Sequence, residues 1–427
     1  MPAALVTGAT TLRPVMRELA KAGFELVVAT DAAMEAMKRE KLPVEPLGKW
    51  FNDKIAVAAA NDAAVLTSRV VEALNEGLPQ AAVAEALGKS PLAMRVAGGL
   101  PNWLAGFAMQ QLADATTTSL VMENLLREKE IAIFVTHEDI TDRFRQMTRI
   151  CQAHGIPTLH VPHGNYGGHS LERSPDSFLV ADVAAVAGAY QQEFFAKRGA
   201  SLERLPITGN PAWDEHYRVA KEGVQADAKR ALGFQLEKPV AAVVTTWALG
   251  MSRLKGEWID KSWRLALTMM KLLPRVQWLV SVHPNSPPGS EQRLGETIQR
   301  EGIGAAITRG HYWQRLLAPD VHFVFSQTNF VAAAAILGRP AVGLEYEEYA
   351  GERRPCWDGD GAVLKVPPEP AAMADAVRRA LTPEYQERWR GELLGPFLRR
   401  YNGPSDGHAA ERVVALAAKM MEGGGDG

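Results

Sequence analysis

Two histidines in the first half of the chain stand just after short apolar runs. The run at residues 131–136 is followed by His137 and Glu138, and the run at 157–161 is closely followed by His163. An imidazole or a carboxylate in a loop beyond a strand can act as a general acid or base, or can donate to a diphosphate. These three side chains are therefore candidate catalytic groups. The alternative is that each histidine is structural and hydrogen-bonded within its own loop.

A cluster of polar residues stands between an apolar run and an Ala-rich segment in the second half. The run Val321–Phe325 is followed by Ser326, Gln327, Thr328 and Asn329, and the Ala-rich segment ends at Gly338. This order predicts a strand, a turn and a helix. The first turn of a helix presents unpaired N–H groups and a positive dipole end, so we predict a phosphate site there. The alternative is that Ser326 or Thr328 only caps the helix.

Three more apolar runs of the second half end in polar residues. The residues after these runs are Thr245 and Thr246, His283 and Asn285, and Glu345. We predict that they belong to the same nucleotide-binding edge, where His283 donates to a phosphate and Glu345 binds ribose or donor hydroxyls. The alternatives are a turn histidine fixed by Pro284, and a surface salt bridge from Glu345 to Arg353 or Arg354.

The elements that must position these residues follow a β-α-β pattern. Residues 3–7, 10–22 and 24–29 read as strand, helix and strand, and the turn between the first two has a single glycine, which argues against a dinucleotide site. Residues 49–129 have helical periodicity and are predicted to form a helical insert. Trp103 and Phe107 in this insert are predicted to be core residues, and the alternative is that they belong to an acceptor site. The segment after Glu345 is charged and is predicted to be a loop.

We therefore predict an α/β protein with two facing Rossmann-like domains. The first, residues 1–215, carries the insert and lies on the acceptor side; the second, residues 216–395, binds the nucleotide donor. Residues 396–427 are predicted to form a helix that crosses back, followed by a disordered tail. A loop at residues 165–177 is predicted to cover the cleft.

Composition excludes several classes of function. A net charge of −2 without a basic run argues against nucleic acid. The sequence shows no signal leader and no membrane span, which predicts a cytoplasmic protein with room for peripheral association at the inner face of a membrane. Cys151 and Cys356 are predicted to be reduced thiols. Asp358 and Asp360 are interpreted as a turn, so we expect no metal and no cofactor.

Five motifs together resemble the CDP-glycerol glycerophosphotransferases and, more loosely, the UDP-N-acetylglucosamine 2-epimerases. They are GNPAWDEHY, VPHG, HPN, FSQTNFVAAAAILGRPAVGLEYEEY and DGHAAERVV, and they cover the chain from about residue 131 onward. The resemblance implies the GT-B fold of two Rossmann-like domains. It also implies that His163 is the base, that His283 binds the diphosphate, and that Ser326 and Thr328 are the hydroxyl pair at the helix start.

The chain also departs from these families. Gln327 separates the two hydroxyl residues, the glycine pair of the epimerases is missing, and Glu345 stands where the glycerophosphotransferases favour an aspartate. The first departure weakens the case for CDP-glycerol as the donor, and the second argues against an epimerase. Capsule and lipopolysaccharide transferases share the helix-start hydroxyls, so a sugar donor is as plausible as glycerol phosphate.

The expected activity is the metal-independent transfer of a sugar or polyol phosphate. The donor is nucleotide-activated (CDP, CMP or UDP), and the acceptor is a hydroxyl of a cell-surface or lipid-linked glycan, such as a capsule or teichoic acid. One alternative is a UDP-sugar epimerase or hydrolase, which requires acids such as Glu138 and Asp139. A second alternative is a non-catalytic partner in glycan assembly.

Overall fold

The chain consists of two compact units. The computed structural model describes residues 2–8, 11–30, 34–35, 37–38, 40–77, 85, 91–138, 141–164, 179–246, 253–326, 328–349, 352–356 and 361–423. The first unit contains the described residues among 1–163, 179–184 and 413–423, and the second contains Gly164 and the described residues among 185–412. The predicted domain limits at 215 and 395 remain a prediction.

A six-stranded parallel sheet forms the centre of the first unit. Its strand order is β3-β2-β1-β4-β5-β6. The strands are β1 (Ala3–Val6), β2 (Glu25–Val28), β3 (Val44–Pro46), β4 (Ile131–Thr136), β5 (Thr158–His160) and β6 (Val183–Ala184). Chain order reverses between β1 and β4, so the carboxyl ends of these two strands form the switch point at which such sheets bind ligands.

Helices cover this sheet and form the predicted insert. They are α1 (Arg13–Lys21), α2 (Asp53–Gly77), α3 (Pro91–Glu128) and α4 (Asp142–Ala153). Both α2 and α3 lie between β3 and β4 in the chain, which confirms the helical insert. The end of α3 packs on the sheet, since Val121, Met122 and Leu125 join the buried cluster around Phe134.

The second unit repeats the same sheet pattern. Its strand order is β14-β11-β10-β7-β8-β9, again parallel throughout. The strands are β7 (Val240–Val244), β8 (Gln277–Ser281), β9 (Ala305–Thr308), β10 (Val321–Val324), β11 (Ala341–Leu344) and β14 (Val363–Val366). Here the switch point lies between β7 and β10. The predicted α/β fold with two Rossmann-like sheets is confirmed.

The helices of the second unit flank its sheet. They are α5 (Ala189–Ala196), α6 (Asp214–Glu222), α7 (Gln225–Ala231), α8 (Arg253–Lys271), α9 (Ser290–Arg300), α10 (Tyr312–Leu317), α11 (Asn329–Ile336), α12 (Pro370–Ala380), α13 (Pro383–Arg388) and α14 (Leu394–Asn402). Helix α15 (Ala409–Gly423) begins in this unit. No helix among the described residues is long and apolar enough to cross a membrane.

The charged segment after Glu345 differs from its prediction. Residues Tyr346–Tyr349 (β12) and Glu352–Pro355 (β13) pair as an antiparallel hairpin rather than a loop. The ring of Tyr346 stacks on Trp258, with ring centroids 5.3 Å apart. This contact joins residues distant in the sequence, which local composition does not reveal.

The insert also contains a contradicted prediction. Trp103 and Phe107, predicted as core residues, are 66% and 57% exposed. Their rings stack on each other at 6.1 Å, one helical turn apart on α3. An apolar helical pattern predicts a buried face only where the fold supplies a partner for it.

Two of the family-like motifs contact each other in the second unit. The Asp214 carboxylate accepts hydrogen bonds from the Ala409 and Ala410 N–H groups, at 3.0 and 2.8 Å, and so caps α15. The Arg412 Nε donates to the Thr208 carbonyl at 2.7 Å. The motifs GNPAWDEHY and DGHAAERVV therefore form a structural joint.

Candidate functional site

A threonine joins the ends of β1 and β4 at the switch point of the first sheet. The Thr7 hydroxyl lies 3.0 Å from the Thr136 hydroxyl and 3.1 Å from His137 Nδ1, and it accepts a hydrogen bond from the His137 N–H at 3.1 Å. Thr136 in turn contacts the Glu138 backbone. The backbone of His137 and Glu138 is thus held at the carboxyl edge of the sheet by buried hydroxyls.

Gly8 is required by its closeness to His137. Its φ of +73° lies in the left-handed region, and a Cβ atom at this position would lie 2.4 Å from His137 Nδ1. Any side chain at residue 8 would therefore displace the imidazole. The sequence contains this glycine in its first turn, but sequence alone does not reveal what the turn contacts.

The three candidate catalytic residues of the first unit lie together. His163 is exposed, its Nδ1 lies 3.4 Å from the His137 carbonyl oxygen, and the two rings are 5.9 Å apart. The Glu138 Oε2 atom lies 4.0 Å from His137 Nε2. Burial, and to a smaller extent the nearby His163, lower the pKa of His137 to about 4. His137 is therefore neutral at physiological pH.

A second threonine positions a histidine in the second sheet. The Thr245 hydroxyl, buried at the end of β7, accepts from the His283 N–H at 3.1 Å. The Asn285 N–H donates to His283 Nδ1 at 3.1 Å. Since Nδ1 accepts, the proton of the neutral ring is on Nε2, which is left to act as a donor. The exposed Asn285 contributes through its backbone.

Arg315 is a part of this edge that sequence reasoning missed. The residue is 3% exposed, and its guanidinium donates to the Val282 carbonyl at 2.7 Å and to the Ser281 hydroxyl at 3.3 Å. Burial, followed by the positive charge of Arg315, lowers the pKa of His283. Arg315 lies on the short helix α10, far from β8 in the sequence, and no motif marks it.

The predicted phosphate turn lies beside the end of β7. Strands β7 and β10 pair with Val244 opposite Val324, which brings Thr246 and Ser326 to the same edge. Within the described part of the chain, the buried Thr246 hydroxyl has no hydrogen-bond partner. Ser326 is buried, and Gln327 lies outside the described residues.

Thr328 caps α11, as the capping alternative predicted. Its hydroxyl accepts from the Phe330 N–H at 3.3 Å, and Asn329 begins the helix. This bond uses an oxygen lone pair, so the Thr328 O–H is left to donate. Helix α11 is buried on all sides from Val331 to Ile336, and the surrounding core fixes its N-terminus.

Glu345 lies at the end of β11 and is exposed. The alternative of a salt bridge to Arg353 does not hold, because the Arg353 guanidinium lies 3.5 Å from Glu348 and over the Tyr346 ring. The side chain of Arg354 lies outside the described part of the chain. Glu345 thus stands at the carboxyl edge of the second sheet, beside the hairpin.

A cavity of about 1090 Å³ in the first unit lies away from these residues. Its lining includes Phe24, Leu42 and Lys129, close to where β2, β3 and β4 begin. The Lys129 ammonium lies 2.6 Å from a Glu25 carboxylate oxygen, so this lining charge is already paired. The cavity is at the amino edge of the sheet, opposite the candidate catalytic groups.

Metal-ligating side chains do not cluster in the described residues. No group of three or more His, Cys, Asp or Glu residues there could hold a metal ion. Asp358 and Asp360 lie outside the described residues.

Comparison of the whole chain with solved structures shows what the two sheets resemble. A UDP-GlcNAc 2-epimerase from Neisseria meningitidis, bound to UDP-GlcNAc, superposes with a TM-score of 0.60 at 12% identity, over 98% of this chain and 100% of that chain. The HepE protein of Anabaena, in complex with UDP and glucose, has a TM-score of 0.54 at 11% identity, over 99% and 100%. A glycosyltransferase from Rickettsia africae gives 0.57 at 9% identity, over 99% of each chain.

The fold is of the GT-B type. The similarity therefore agrees with the predicted resemblance to GT-B transferases and 2-epimerases. Comparison of the sequence with protein families and with curated proteins gives no match. At 9 to 13% identity, the structural neighbours show the fold and leave the reaction to be argued from the residues of this chain.

Replacing Gly8 tests the close approach to His137. Gly8→Ala should lower the free energy of unfolding by about 1–3 kcal/mol more than Gly23→Ala, because overpacking adds to the strain of a positive φ. Gly23 is the matched control, since it has a φ of +89° and no atom lies within 4 Å of the position that its Cβ would take. Chemical denaturation of both variants measures the difference. Equal losses would show that His137 does not constrain residue 8.

The buried His137 also predicts a pH dependence. Its pKa is about 4 in the folded protein and 6.5 in the unfolded chain, so the unfolded state binds the proton more readily. Its contribution to stability is complete above pH 6.5 and is lost as the pH falls toward 4. When the pH falls from 7.5 to 5.5, the free energy of unfolding should therefore decrease by about 1 kcal/mol less for His137→Gln than for the wild type.

The control for this experiment is His154→Gln, which changes an exposed histidine of the same unit. Denaturation curves at the two pH values give the loss for each variant. If His137→Gln and His154→Gln lose stability equally with falling pH, His137 is not buried in the neutral form.

Proposed function

We propose that the second unit binds the diphosphate of a nucleotide-activated donor, and that the protein transfers a sugar or polyol phosphate from it to a hydroxyl acceptor. The proposed donor site is the carboxyl edge of β7, β8 and β10. It uses Thr246, His283 and Ser326, with Thr328 and Asn329 at the start of α11. Glu345 would accept from ribose or donor hydroxyls.

The observation that carries this proposal is the hydrogen bonding of His283. Its Nδ1 accepts from the Asn285 N–H, which directs the ring proton to Nε2. A neutral imidazole held this way donates one N–H in a fixed direction, as a diphosphate oxygen requires. The Thr245 hydroxyl and the Arg315 guanidinium both hold the peptide unit between Val282 and His283.

The groups beside His283 are also hydrogen-bond donors, so they also favour an anion. The Thr246 hydroxyl is buried without a partner in the described part of the chain, and a ligand oxygen would satisfy it. The start of α11 adds the positive end of a helix dipole at the adjacent strand. These hydrogen-bond donors therefore lie at one edge of the second sheet, at its switch point.

In the proposed mechanism, His163 accepts the proton of the acceptor hydroxyl as that oxygen attacks the donor. The bond to the leaving nucleotide breaks, and its phosphate gains negative charge. His283 Nε2–H and the start of α11 stabilise that charge, and a preorganised donor of this kind contributes about 3 kcal/mol. His137 is neutral beside His163, so it adds no positive charge that would oppose protonation of the base.

Epimerisation of a UDP-sugar is the second candidate, and the acid–base pair in the first unit favours it. The Glu138 carboxylate lies 4.0 Å from the His137 imidazole. Solved epimerases of this fold bind UDP-GlcNAc. Incubation of the protein with UDP-N-acetylglucosamine and no acceptor separates the two reactions, since only epimerisation proceeds without an acceptor.

A nucleotide panel tests the donor site. CMP, CDP, UDP, GDP and ADP should be compared by thermal shift and calorimetry, and at least one nucleoside diphosphate should raise the melting temperature. Loss of a hydrogen bond to a charged phosphate costs about 1.5–3 kcal/mol, so His283→Ala should weaken that nucleotide about tenfold or more. The control is His408→Gln, an exposed histidine of the same unit. Unchanged affinity in His283→Ala would refute the role of this ring.

A separate variant tests the base. His163→Ala should lower the transfer rate by about 10²–10⁴-fold while nucleotide affinity stays within about twofold of the wild type, because the base acts on the acceptor. Product formation is followed by chromatography with the nucleotide identified in the panel. Loss of nucleotide binding together with transfer would contradict the assignment.

A further inference from the structure

A second pocket of the first unit, of about 510 Å³, lies between the inserted helix α3 and helix α4. Residues of the segment 47–51, which directly follows β3, form its third side. Arg143 of the lining lies at the start of α4, and its Nη2 atom is 3.5 Å from the carbonyl oxygen of Ala29, just after β2. The pocket therefore lies at the carboxyl edge of the first sheet, where open α/β sheets bind ligands.

A candidate catalytic histidine packs against the same part of α4. His137 directly follows β4, and its ring lies 5.4 Å from the ring of Phe144, the residue after Arg143. The first turn of α4 thus contacts His137 and also lines the pocket. A ligand in the pocket would lie at the same edge of the sheet as His137.

Hydrogen bonds hold the three sides of the pocket in place. The Gln146 amide donates to the Ala115 carbonyl and to the Ser119 hydroxyl, both at 2.7 Å, and so joins α4 to α3. The Trp50 indole N–H donates to a Glu128 carboxylate oxygen at 2.9 Å, which joins the segment after β3 to the end of α3. The pocket is therefore preformed, as ligand pockets usually are.

The lining of the pocket combines charged and apolar side chains. Asp114, Asp142 and Arg143 are exposed. Within the described part of the chain, neither carboxylate has a hydrogen bond or an ion pair, and Arg143 has only its 3.5 Å contact. Phe51, which is 46% exposed, and Val121 supply apolar surface. The volume is within the range of about 300–1,000 Å³ that small-molecule sites have.

These groups favour a neutral ligand that is rich in hydroxyl groups. Carboxylates accept hydrogen bonds from hydroxyls, and a guanidinium donates to hydroxyl or ring oxygens. An exposed aromatic ring beside them offers an apolar surface to the C–H face of a sugar ring. The lining has two carboxylates and one guanidinium. This balance disfavours a phosphate or a nucleotide, because like charges repel.

We propose that this pocket binds a neutral sugar unit of the acceptor. Asp114, Asp142 and Arg143 hold the sugar by hydrogen bonds, and Phe51 packs on its ring. The inference rests on the proposed function only in calling this sugar the acceptor, because the binding itself depends on the pocket alone. It gives the helical insert a role in substrate binding, since α3 supplies Asp114.

Saturation-transfer NMR with the full-length protein tests whether the pocket binds a sugar. The probes are the methyl glycosides of glucose, galactose, mannose and N-acetylglucosamine, and at least one should bind in the absence of nucleotide. The double variant Asp114→Ala/Arg143→Ala should bind that glycoside about tenfold or more weakly, because hydrogen bonds to charged groups are lost. A wild-type protein that binds none of these glycosides would overturn the proposal.

The matched control is Glu123→Ala/Arg149→Ala. This variant also removes one acid from α3 and one arginine from α4, but both residues are exposed outside the pocket lining. It should therefore bind the glycoside as the wild type does. Circular dichroism and thermal melting verify that both double variants are folded. Equal weakening in the two variants would show that the sugar does not bind in this pocket.

Nucleotide binding and transfer separate this inference from the proposed function. Asp114→Ala/Arg143→Ala should keep the nucleotide affinity of the wild type, because the proposed donor site lies in the second unit. In the transfer assay its KM for the acceptor should rise about tenfold with little change in kcat, as expected when the lost interaction stabilises the bound substrate and the transition state equally.

The two failures give different results. If the nucleotide displaces the glycoside, or if nucleotide affinity falls in Asp114→Ala/Arg143→Ala, the pocket binds the nucleotide and this inference is wrong. If the glycoside binds in the pocket and no transfer occurs with any nucleotide-activated donor, the sugar site is supported and the proposed function is refuted.

Discussion

A hydrogen bond from a histidine backbone N–H to a threonine hydroxyl recurs in both sheets and fixes both candidate sites. In the first sheet Thr7 accepts from His137, and in the second Thr245 accepts from His283, each at 3.1 Å. The His137 and His283 N–H groups lie just beyond the ends of β4 and β8, and in each case the buried hydroxyl that follows the adjacent strand satisfies the N–H. This hydrogen bond thereby fixes the backbone position from which each imidazole side chain extends, before any ligand is bound.

The two sites differ in how the ring itself is held. His137 faces the same threonine through Nδ1 and is largely buried, so its pKa is about 4. His283 has its Nδ1 occupied by the Asn285 N–H, which turns Nε2 toward the edge as a donor. One threonine–histidine arrangement thus gives a neutral ring packed under His163 in the first unit and, in the second, a ring whose Nε2–H is the hydrogen-bond donor that we propose for a phosphate.

Strand ends were predictable from the sequence, and long-range contacts were not. Apolar runs of four to six residues followed by polar ones identify β4, β7, β8 and β10 and the residues after them, because strand length and the parallel sheet dictate where side chains emerge. Arg315 and the β12–β13 hairpin were missed, since each depends on partners from other elements. Trp103 and Phe107 were misassigned because periodicity reports that a face is apolar but cannot report whether anything covers it.

The five motifs that resemble known families have different physical roles in the structure. GNPAWDEHY and DGHAAERVV meet through the Asp214 carboxylate and the N-terminus of α15, so their shared presence reports a joint of the fold. HPN and the polar turn before α11 instead place donors at the switch point of the second sheet. A structural contact can stay the same while the reaction changes. The resemblance in GNPAWDEHY and DGHAAERVV therefore supports the GT-B architecture, and only the residues at the strand ends bear on the reaction. A donor molecule that accepts hydrogen bonds from both the Thr246 hydroxyl and His283 Nε2–H needs one acceptor oxygen for each of them, as a diphosphate has.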